Sequence, residues 1–332
     1  MEGVGIMAAT FWKNKKVLVT GHEGFLGMHL TKKLLSFGAR VTGLDINTKR
    51  KKTLFTRQEY QRIKTIKGDV ANYRLVDKII SQNQIDVIFH LAAEALVGSC
   101  LKKPLVAFES NIKGTWNILE ASRRHKYVKA IVIASSDKAY GRHKKLPYKE
   151  EAPLIADHPY DVSKSCADLL AHTYHHTYQV PVSVTRCGNI YGPGDLNFSR
   201  IVPDAIRCAI QGKTLNIRSD GKFVRDYVYV SDIVDGYIVL AEKLRRLRLA
   251  GEAFNFSDEK PLSVMQIVKK IYQQAGRQPR YKILDRASYE IPKQYLNSQK
   301  ARRILGWKPK GSLERGLQQT IGWYKQYFKQ SI

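Results

Sequence analysis

The first half of the chain alternates between two patterns of apolar residues. Short apolar runs rich in β-branched residues, typical of strands, are followed by longer stretches with the apolar spacing of amphipathic helices. The predicted strands cover residues 16–20, 40–45, 63–67, 86–91, 130–134 and 182–186. The clearest predicted helices cover residues 25–37 and 105–124. This alternation predicts an α/β fold with a Rossmann-type doubly wound parallel sheet, which binds ligands at the carboxyl ends of its strands.

Composition adds limits on size and compartment. At 332 residues, the chain is long enough for one large domain or two interlocked domains. The cysteines are dispersed without a C-x-x-C pair, which argues against a disulfide framework or a metal cluster; they are Cys100, Cys166, Cys187 and Cys208. No apolar run reaches the roughly 18 residues of a membrane span, and residues 1–12 are expected to form a disordered extension. We therefore expect a cytoplasmic protein.

The formal net charge of +27 is the unusual feature of the composition. Such a charge attracts polyanions, including nucleic acid. However, the basic residues are spread along the chain, with no recognisable nucleic-acid-binding module around them. We interpret the charge as a lysine-rich solvated surface and expect no specific nucleic-acid partner.

A glycine-rich loop joins the first predicted strand to the first predicted helix. Gly21 permits a tight turn, Gly24 lets a pyrophosphate approach the backbone, and Gly27 lets the helix pack closely on the strand. The amino terminus of the helix then faces the anion. The loop residues predicted to bind the dinucleotide are Gly21, Gly24, Phe25, Leu26 and Gly27.

Residues at the ends of later strands extend this predicted site. Asp45 ends the strand 40–45, where a carboxylate takes the ribose hydroxyls and rejects a 2′-phosphate, so NAD is favoured over NADP. The basic run 49–52 follows closely and could weaken that rejection. Asp69 is expected beside the adenine. The remaining predicted cofactor contacts are Val70, Leu91, Ala92 and Ala93, the two alanines letting the cofactor lie against the backbone.

A tyrosine and a lysine four residues apart supply the candidate chemistry. On a helix, Tyr160 and Lys164 lie on one face, and the lysine ammonium favours the phenolate, so the tyrosine can act as a base. The Tyr-x-x-x-Lys pattern alone also occurs on many ordinary helices. Here Ser136 closes the strand 130–134, where its hydroxyl can bond the same substrate oxygen. The alternative for Ser136 is a simple strand end followed by a turn.

Taken together, these motifs resemble the extended short-chain dehydrogenase/reductases, and among them the nucleotide-sugar 4,6-dehydratases, over about residues 11–328. The signature segments are Thr20-Gly-His-Glu-Gly-Phe-Leu-Gly27, Leu91-Ala-Ala93, Asn111, Ser136, Tyr160-x-x-x-Lys164, Gly188-Asn189-x-Tyr-Gly192 and Arg225-Asp-Tyr-Val-Tyr-Val-Ser-Asp232. The likeness is strongest to the CDP-glucose 4,6-dehydratases. It rests on Phe11-Trp12, Gly21-His22, Ser136-Asp137-Lys138, Arg186-Cys-Gly-Asn-Ile190, Asp195 and Ile201-Val-Pro-Asp204.

The resemblance implies a reaction and a role for each residue. Tyr160 removes the proton of the sugar 4-hydroxyl while bound NAD accepts the C4 hydride, and Asp137, held protonated, protonates the departing 6-hydroxyl. A base removes the C5 proton. Lys138 occupies the position where the dTDP-glucose and GDP-mannose enzymes carry a glutamate base, so Lys138 needs a lowered pKa or Glu94 acts instead. The CDP-glucose enzymes also carry lysine there.

The second half of the chain is predicted to bind the substrate, a CDP-, GDP-, dTDP- or UDP-hexose. Asn189 and Arg225 match family positions that contact the diphosphate, and Asn255 is a further candidate by position. The alternatives are a turn residue for Asn189 and an ion pair with Asp226 for Arg225. We predict an NAD-binding domain over 13–187 and about 223–248. The substrate domain then covers 188–222 and 249–332.

Other functions remain open at this point. One is a 4-epimerase, or a dehydratase of the same fold that leaves a 5,6-alkene; the other is a non-catalytic NAD sensor that binds nucleic acid. As in the family, we expect a homodimer formed through the helices beginning near Leu105 and Tyr160. His172, His175 and His176 have a spacing that could bind metal, but no carboxylate or cysteine partner is in view, so we predict no metal site.

Overall fold

The computed structural model describes residues 10–48, 53–287 and 290–329. The chain divides into two compact units. Unit 1 contains the chain up to residue 141, together with Glu150–Arg186 and Val234–Phe254. Unit 2 contains Arg142–Lys149, Cys187–Ile233 and the chain from residue 255 onward.

Unit 1 is built on a seven-stranded sheet. Its strands, numbered in chain order, are β1 (Lys16–Thr20), β2 (Arg40–Asp45), β3 (Ile63–Lys67), β4 (Val87–His90), β5 (Ala130–Ala134), β6 (Val182–Cys187) and β11 (Ala253–Phe256). The last residue of β6 and the last two residues of β11 belong to unit 2. The strands lie in the order β11-β6-β5-β4-β1-β2-β3, and β1 to β6 run parallel. The order reverses direction at β1 and β4, as in doubly wound nucleotide-binding sheets. The α/β prediction and the six predicted strands are confirmed.

The helices of unit 1 follow their strands. They are α1 (Phe25–Ser36), α2 (Arg57–Gln61), α3 (Tyr73–Asn83), α4 (Val97–Lys102), α5 (Pro104–Phe108), α6 (Gly114–Arg124), α7 (Pro159–Tyr178) and α9 (Val230–Leu244), whose first turn belongs to unit 2. The local sequence determines where two of these helices begin. Thr56 and Glu59 form a capping box at the start of α2, and the Asn72 side chain accepts from Leu75 N (3.1 Å) at the start of α3. The core beneath them is aliphatic, with Leu18, Ile88, Ile118, Ile131 and Val182 all fully buried.

The predicted helix 105–124 is not uniform. The structure has α5, then a π-helical turn at Glu109–Lys113, then α6. A π turn inserts one extra residue per turn without breaking the helical path, so the apolar spacing of the sequence does not disclose it.

Residues 10–12 correct the prediction of a disordered extension over 1–12. Thr10, Phe11 and Trp12 are helical, and the Trp12 side chain is fully buried. Its indole Nε1 donates to Glu242 Oε1 (2.6 Å), and its ring lies 5.9 Å from that of Phe89. An apolar ring with a bonded N–H is a stable core residue, so the ordered chain begins before β1. Residues 1–9 lie outside the described residues, as does the basic run 49–52.

In its described residues, unit 2 combines short strands with three helices and the first turn of α9. Its elements are β7 (Asn189–Tyr191), α8 (Ile201–Gln211), β8 (Leu215–Ile217), β9 (Val224–Arg225), β10 (Tyr227–Tyr229), β12 (Leu262–Ser263), α10 (Val264–Ala275), β13 (Tyr281–Ile283), β14 (Lys293–Gln294), a π-helical turn at Ala301–Leu305, and α11 (Leu313–Lys329). Its buried core includes Ile206, Leu215, Ile271 and Leu317.

Three stretches, and the single residue Cys187, lie in a different unit from the one predicted. Residues 142–149 join unit 2, where Tyr148 N donates to Tyr295 O (2.9 Å). Residues 223–233 also join unit 2, because β9 pairs with β12 and β14, and β10 pairs with β7. Residues 249–254 join unit 1 because β11 extends its sheet next to β6. Partners far away in sequence decide these boundaries.

Candidate active site

The glycine loop lies at the carboxyl end of β1. Gly21 has φ +72°, and its N–H donates to Leu44 O (2.7 Å). A Cβ on Gly21 would stand 2.9 Å from Ala92 N, and a Cβ on Gly27 would overlap Gly21 O. The turn therefore requires glycine at both positions, as the sequence predicts.

Gly24 is the N-cap of α1 and brings no side chain to the end of the helix. The first-turn amides, among them those of Phe25 and Leu26, receive no side-chain cap. Such a bare amino terminus with positive partial charge suits a phosphate. These features fit a dinucleotide at the place that the sequence predicts.

Asp45 ends β2 against this loop. The carboxylate is buried; its Oδ2 accepts from Glu23 N (3.1 Å) and its Oδ1 from Asn47 N (3.0 Å). Asp69 lies beyond β3 and is exposed, with Oδ1 accepting from Ala71 N (2.8 Å). Both carboxylates are therefore fixed by backbone amides at strand ends.

The segment after β4 is fixed by hydroxyl and amide side chains. Thr20 Oγ1 accepts from the backbone N–H groups of Leu91 and Ala92 (3.1 Å each). Asn111, in the π turn and 1% exposed, accepts from Glu94 N (2.8 Å) and donates to Glu94 O (3.1 Å). The chain from residue 91 to 94, including Ala93, is thus held along the loop side of the sheet. Val70 is buried beside α6, and its carbonyl accepts from the Asn117 side chain (3.0 Å).

Ser136 and Asp137 follow β5 and are both buried. Ser136 Oγ donates to Asp137 Oδ1 (3.0 Å) and accepts from Lys138 N (3.2 Å), which caps a 3₁₀ turn at Asp137–Tyr140. Lys138 is half-buried in this turn. The hydroxyl and the carboxyl therefore form one hydrogen-bonded unit at the carboxyl end of the sheet.

Tyr160 and Lys164 lie on the first turns of α7. Lys164 is buried, and its Nζ donates to Ala134 O (2.7 Å), at the end of β5. Burial lowers the pKa of Lys164 to about 8. The ammonium form still predominates at neutral pH, as a lysine that favours a neighbouring phenolate requires. Tyr160 is half-buried, and its carbonyl accepts from Ser163 Oγ (2.7 Å).

Three serines connect α7 to the neighbouring elements. Ser135 Oγ donates to Lys164 O (3.3 Å), and Ser165 Oγ lies 2.9 Å from Ala139 O. Ser163 Oγ accepts from the Asn111 side chain (2.8 Å). The helix that carries Tyr160 is therefore bonded both to the turn that carries Asp137 and to the π turn.

The predicted substrate residues of unit 2 differ in their surroundings. Asn189 is half-buried in β7. Arg225 is buried; its Nη1 donates to Val224 O (2.9 Å), and its Nη2 lies 3.5 Å from Glu290 Oε2. The ion-pair partner is thus Glu290, and Asp226, the alternative from the sequence, instead accepts from Leu296 N (2.6 Å).

The prediction that Asn255 contacts the substrate needs correction. Its side chain is fully buried, and Nδ2 donates to Tyr148 O (3.1 Å) and Asn297 O (3.2 Å). The amide joins two backbone segments of unit 2. A buried side chain with these bonds is explained by packing, so we remove Asn255 from the substrate contacts.

Two polar residues lie beside the predicted catalytic residues, and the sequence analysis gave neither of them a role. Asn111 appears among the family motifs, but its clamp on Glu94 depends on the π turn. Asp161 follows Tyr160 and is 5% exposed. An acid next to the tyrosine is visible in the sequence, but its burial is not.

The three histidines of α7 include His175, whose Nδ1 lies 3.1 Å from Val180 O.

In the part of the chain that the structure describes, no helix is long and apolar enough to span a bilayer. The four cysteines are free thiols, and all but Cys166 are buried.

The sheet, the glycine loop and the Tyr-x-x-x-Lys helix define an extended short-chain dehydrogenase/reductase. The model of one family, GDP-mannose 4,6 dehydratase, matches residues 18–320, and the chain belongs to that family.

Similar proteins include both dehydratases and epimerases. The UDP-glucuronate 4-epimerase of Thermodesulfobacterium geofontis is 31% identical, over 93% of this chain and 96% of the relative. The CDP-glucose 4,6-dehydratase of Salmonella typhimurium is 29% identical, over 96% and 93%. The dTDP-glucose 4,6-dehydratase of Bacillus anthracis, solved in complex with NAD, has a TM-score of 0.84 at 28% identity, over 95% and 98%. The chain is therefore an enzyme of the nucleotide-sugar dehydratase and epimerase family.

Proposed function

We propose that the chain is an NAD-dependent nucleotide-sugar 4,6-dehydratase that forms a 4-keto-6-deoxy sugar, with a CDP-hexose as the first substrate to test. The single observation that carries this proposal is the hydrogen-bonded pair of Ser136 and Asp137 (3.0 Å), buried at the end of β5. A 4-epimerase needs no buried acid at this place, whereas water elimination needs a group that protonates the leaving hydroxyl.

The cofactor is NAD, held by the glycine loop, the amino terminus of α1 and Asp45. The hydrogen-bonded carboxylate of Asp45, at the end of β2, suits ribose hydroxyls better than a phosphate. When bound, NAD accepts a hydride from C4 of the sugar and returns it to C6.

The residues of unit 1 supply the proton transfers. Tyr160 takes the proton of the 4-hydroxyl, and the buried ammonium of Lys164 favours its phenolate. When substrate binds, the single hydroxyl hydrogen of Ser136 turns from Asp137 Oδ1 to the forming 4-keto oxygen and donates to it. A base then takes the C5 proton, and Asp137 gives its proton to the 6-hydroxyl, so that the C6–O bond breaks and water leaves. Once C6 has been reduced, the same base returns a proton, exchanged with solvent, to C5.

Two residues compete as the C5 base. Lys138 lies in the same 3₁₀ turn as Asp137, whereas the Glu94 carboxylate accepts from Leu96 N (3.1 Å) ahead of α4. We prefer Lys138 because of its place beside Asp137. Lys138→Met should then abolish exchange of the C5 hydrogen with solvent, whereas Glu94→Gln should retain it; the opposite result assigns the base to Glu94.

Asn189 and Arg225 of unit 2 are the proposed diphosphate contacts. The buried guanidinium of Arg225 is held by two backbone carbonyls and by Glu290, which fixes its direction. Arg225→Lys should raise KM for the nucleotide sugar more than it lowers kcat, because lysine cannot reproduce the planar fork.

The deciding experiment is incubation with CDP-, GDP-, dTDP- and UDP-hexoses in deuterated water, followed by mass spectrometry. Loss of water with gain of one solvent deuteron at C5 supports the proposal and identifies the substrate. Tyr160→Phe should lose activity by about three orders of magnitude or more. The matched control Tyr174→Phe, on the same helix, should retain it.

The second candidate is a 4-epimerase, favoured by relatives of that name at similar identity. In that case the same incubation returns an intact sugar inverted at C4, and Asp137→Asn leaves the rate within about twofold.

We also propose a homodimer through the outer faces of α4, α5 and α7. These helices expose Leu101 (37%), Leu105 (75%), Val106 (50%) and Leu169 (57%). Exposed apolar side chains grouped on neighbouring helices favour burial against a second copy. Light scattering should give twice the mass of the chain, and Leu105→Glu with Leu169→Glu should give the monomer.

A further inference from the structure

Arg186 is a buried arginine near the end of β6 that the proposed reaction does not yet use. Its side chain is 7% exposed, and that of Asp168 is 4% exposed. Arg186 Nη2 donates to Asp168 Oδ1 (2.8 Å), and Nε donates to Oδ2 (3.2 Å). Nη1 donates to Tyr140 Oη (2.8 Å) and to Glu150 O (3.0 Å). The guanidinium therefore makes four hydrogen bonds to three other segments of unit 1.

Stability alone explains this ion pair poorly. Removing two charges from water costs free energy, and their attraction does little more than offset that cost, so a buried ion pair adds little net stability over apolar residues of similar size. A bidentate pair does fix direction, because two parallel N–H···O bonds hold the guanidinium and the carboxylate in one plane. Such a pair suits a place where the relative position of two elements matters.

The two side-chain partners of Arg186 lie on the elements that carry the proposed base and the proposed acid. Asp168 lies on α7, about two helical turns after Tyr160. Tyr140 is the last residue of the 3₁₀ turn that begins with Asp137, and it is fully buried. Arg186 thus connects the helix of the proposed base with the turn of the proposed acid.

A second side chain between the same two elements fixes them less well. Ser165 Oγ, on α7, lies 2.9 Å from Ala139 O and 3.1 Å from Asp161 O. A hydroxyl has one hydrogen, so Ser165 donates to one of these carbonyls at a time. The guanidinium has five N–H donors in one rigid plane and bonds its partners on both elements at once.

The proposed reaction requires a fixed arrangement of the two elements. Tyr160 acts on the oxygen at C4 of the sugar and Asp137 acts on the oxygen at C6, so both must reach one bound ring. A misplacement of about 1 Å can cost about 100-fold in rate. The hydride transfer from C4 is less sensitive to the turn, because Tyr160 and Lys164 lie on α7 and Ser136 precedes the turn as its N-cap.

We propose that Arg186 is a positioning residue: its bonds to Asp168 and Tyr140 hold the 3₁₀ turn of Asp137 at the distance from α7 that water elimination requires. This inference rests on the proposed function. Loosening these bonds should slow the loss of water more than the hydride transfer from C4. A residue with a purely structural role would instead slow both steps together.

The test follows both steps in a single turnover of the full chain with NAD and the nucleotide sugar that loses water in the deuterium experiment. Stopped-flow absorbance measures the formation of NADH, and rapid quenching with mass spectrometry measures the loss of water. Tyr140→Phe removes one bond of Arg186 and keeps the pair with Asp168, whereas Arg186→Lys keeps the charge but loses the planar fork. The rate of NADH formation divided by the rate of water loss should rise about tenfold in Tyr140→Phe and about 100-fold in Arg186→Lys.

Two controls separate positioning from stability. Tyr127→Phe is the same substitution at a hydroxyl that donates to Ile80 O (3.1 Å). Ser183→Ala removes a buried bond to Leu249 O (2.6 Å) from β6 itself. Both variants should keep the wild-type ratio of the two rates, whatever change urea unfolding shows in their stability.

Two outcomes overturn the inference. One is a fall of both rates by the same factor in Tyr140→Phe and Arg186→Lys, which indicates a structural role. The other is a wild-type ratio and wild-type rates in folded Tyr140→Phe, and this variant decides alone if Arg186→Lys does not fold. A wild type that removes water from none of the four nucleotide sugars refutes the proposed function, and this role of Arg186 with it, before any variant is measured.

Discussion

At the scale of single residues, the sequence predicts correctly the positions whose role depends on residues close to them in the chain. Gly21 and Gly27 are examples: the spacing of the loop predicts a tight turn and a close packing contact, and both are present. Roles that depend on residues far away in the sequence could not be predicted. Glu290 as the partner of Arg225, and the carbonyls that hold Asn255, come from segments far away in sequence.

Gly27 gives the sharpest test of the loop. A Cβ there would overlap Gly21 O, a backbone atom that cannot move aside cheaply. Gly27→Ala should lower the free energy of unfolding by about 1–3 kcal/mol and weaken NAD binding by about tenfold or more, which is about 1.4 kcal/mol. Urea unfolding and NAD titration by fluorescence measure the two effects.

Gly322→Ala is the matched control. Gly322 is an exposed helix residue whose Cβ would meet nothing within 4 Å. The same substitution there should raise stability by up to about 1 kcal/mol, because alanine favours helix. If Gly27→Ala behaves like Gly322→Ala, the close packing of the loop has no energetic weight.

His90 makes stability depend on pH. Burial, together with the positive charge of Lys164, lowers the pKa of His90 to about 3, whereas an unfolded histidine takes a proton near pH 6.5. Between these values the unfolded state binds one more proton, so stability falls as pH falls. The contribution is about 1.4 kcal/mol for each pH unit below about 6.5.

The measurement compares urea unfolding of the wild type and His90→Asn from neutral pH downward. Asparagine can keep hydrogen bonds to Thr20 and Thr115, which lie 2.8 and 3.2 Å from the imidazole nitrogens. The wild type should lose stability more steeply with falling pH than the variant. Parallel curves for the two proteins would contradict the prediction.

At the scale of elements, apolar periodicity found the strands and helices but missed the π turn at Glu109–Lys113. A π turn changes which carbonyl each amide meets, and this leaves no mark on the spacing of apolar residues. The helical residues 10–12 were missed for another reason. Three residues are too few for a periodic pattern, and the burial of Trp12 depends on Glu242, far along the chain.

Asn111 tests what the π turn contributes. Its side-chain amide joins α6 and its π turn to Glu94 and to Ser163 of α7. Asn111→Asp keeps the shape but removes two donors and buries a charge, so the free energy of unfolding should fall by about 3 kcal/mol. Chemical denaturation measures the change.

The control is Asn72→Asp, the same replacement at an exposed helix N-cap, where the side-chain oxygen accepts from Leu75 N (3.1 Å) and aspartate can do the same. Its effect on the free energy of unfolding should stay within about 0.5 kcal/mol. Equal costs at the two sites would show that the bridge at Asn111 adds no stability.

At the scale of the whole molecule, the net charge of +27 on 332 residues predicts self-repulsion in the folded state. Added salt screens this repulsion, with a Debye length of about 10 Å at 0.1 M. The urea midpoint should therefore rise as NaCl increases from roughly 20 to roughly 500 mM. Sucrose at matched osmolarity separates screening from exclusion effects, and a midpoint that falls with NaCl would refute the prediction.

The place of β11 in the sheet has a consequence for synthesis on the ribosome. β11 lies beside β6, but residues 188–252, which include most of unit 2 before α9 and α9 itself, are translated between them. At about 5–20 residues per second, the edge of β6 waits roughly 3–13 s for its neighbour. During that interval the nascent chain offers a bare, apolar strand to any other polypeptide nearby, so slow codons between the two strands should lower the yield of native enzyme.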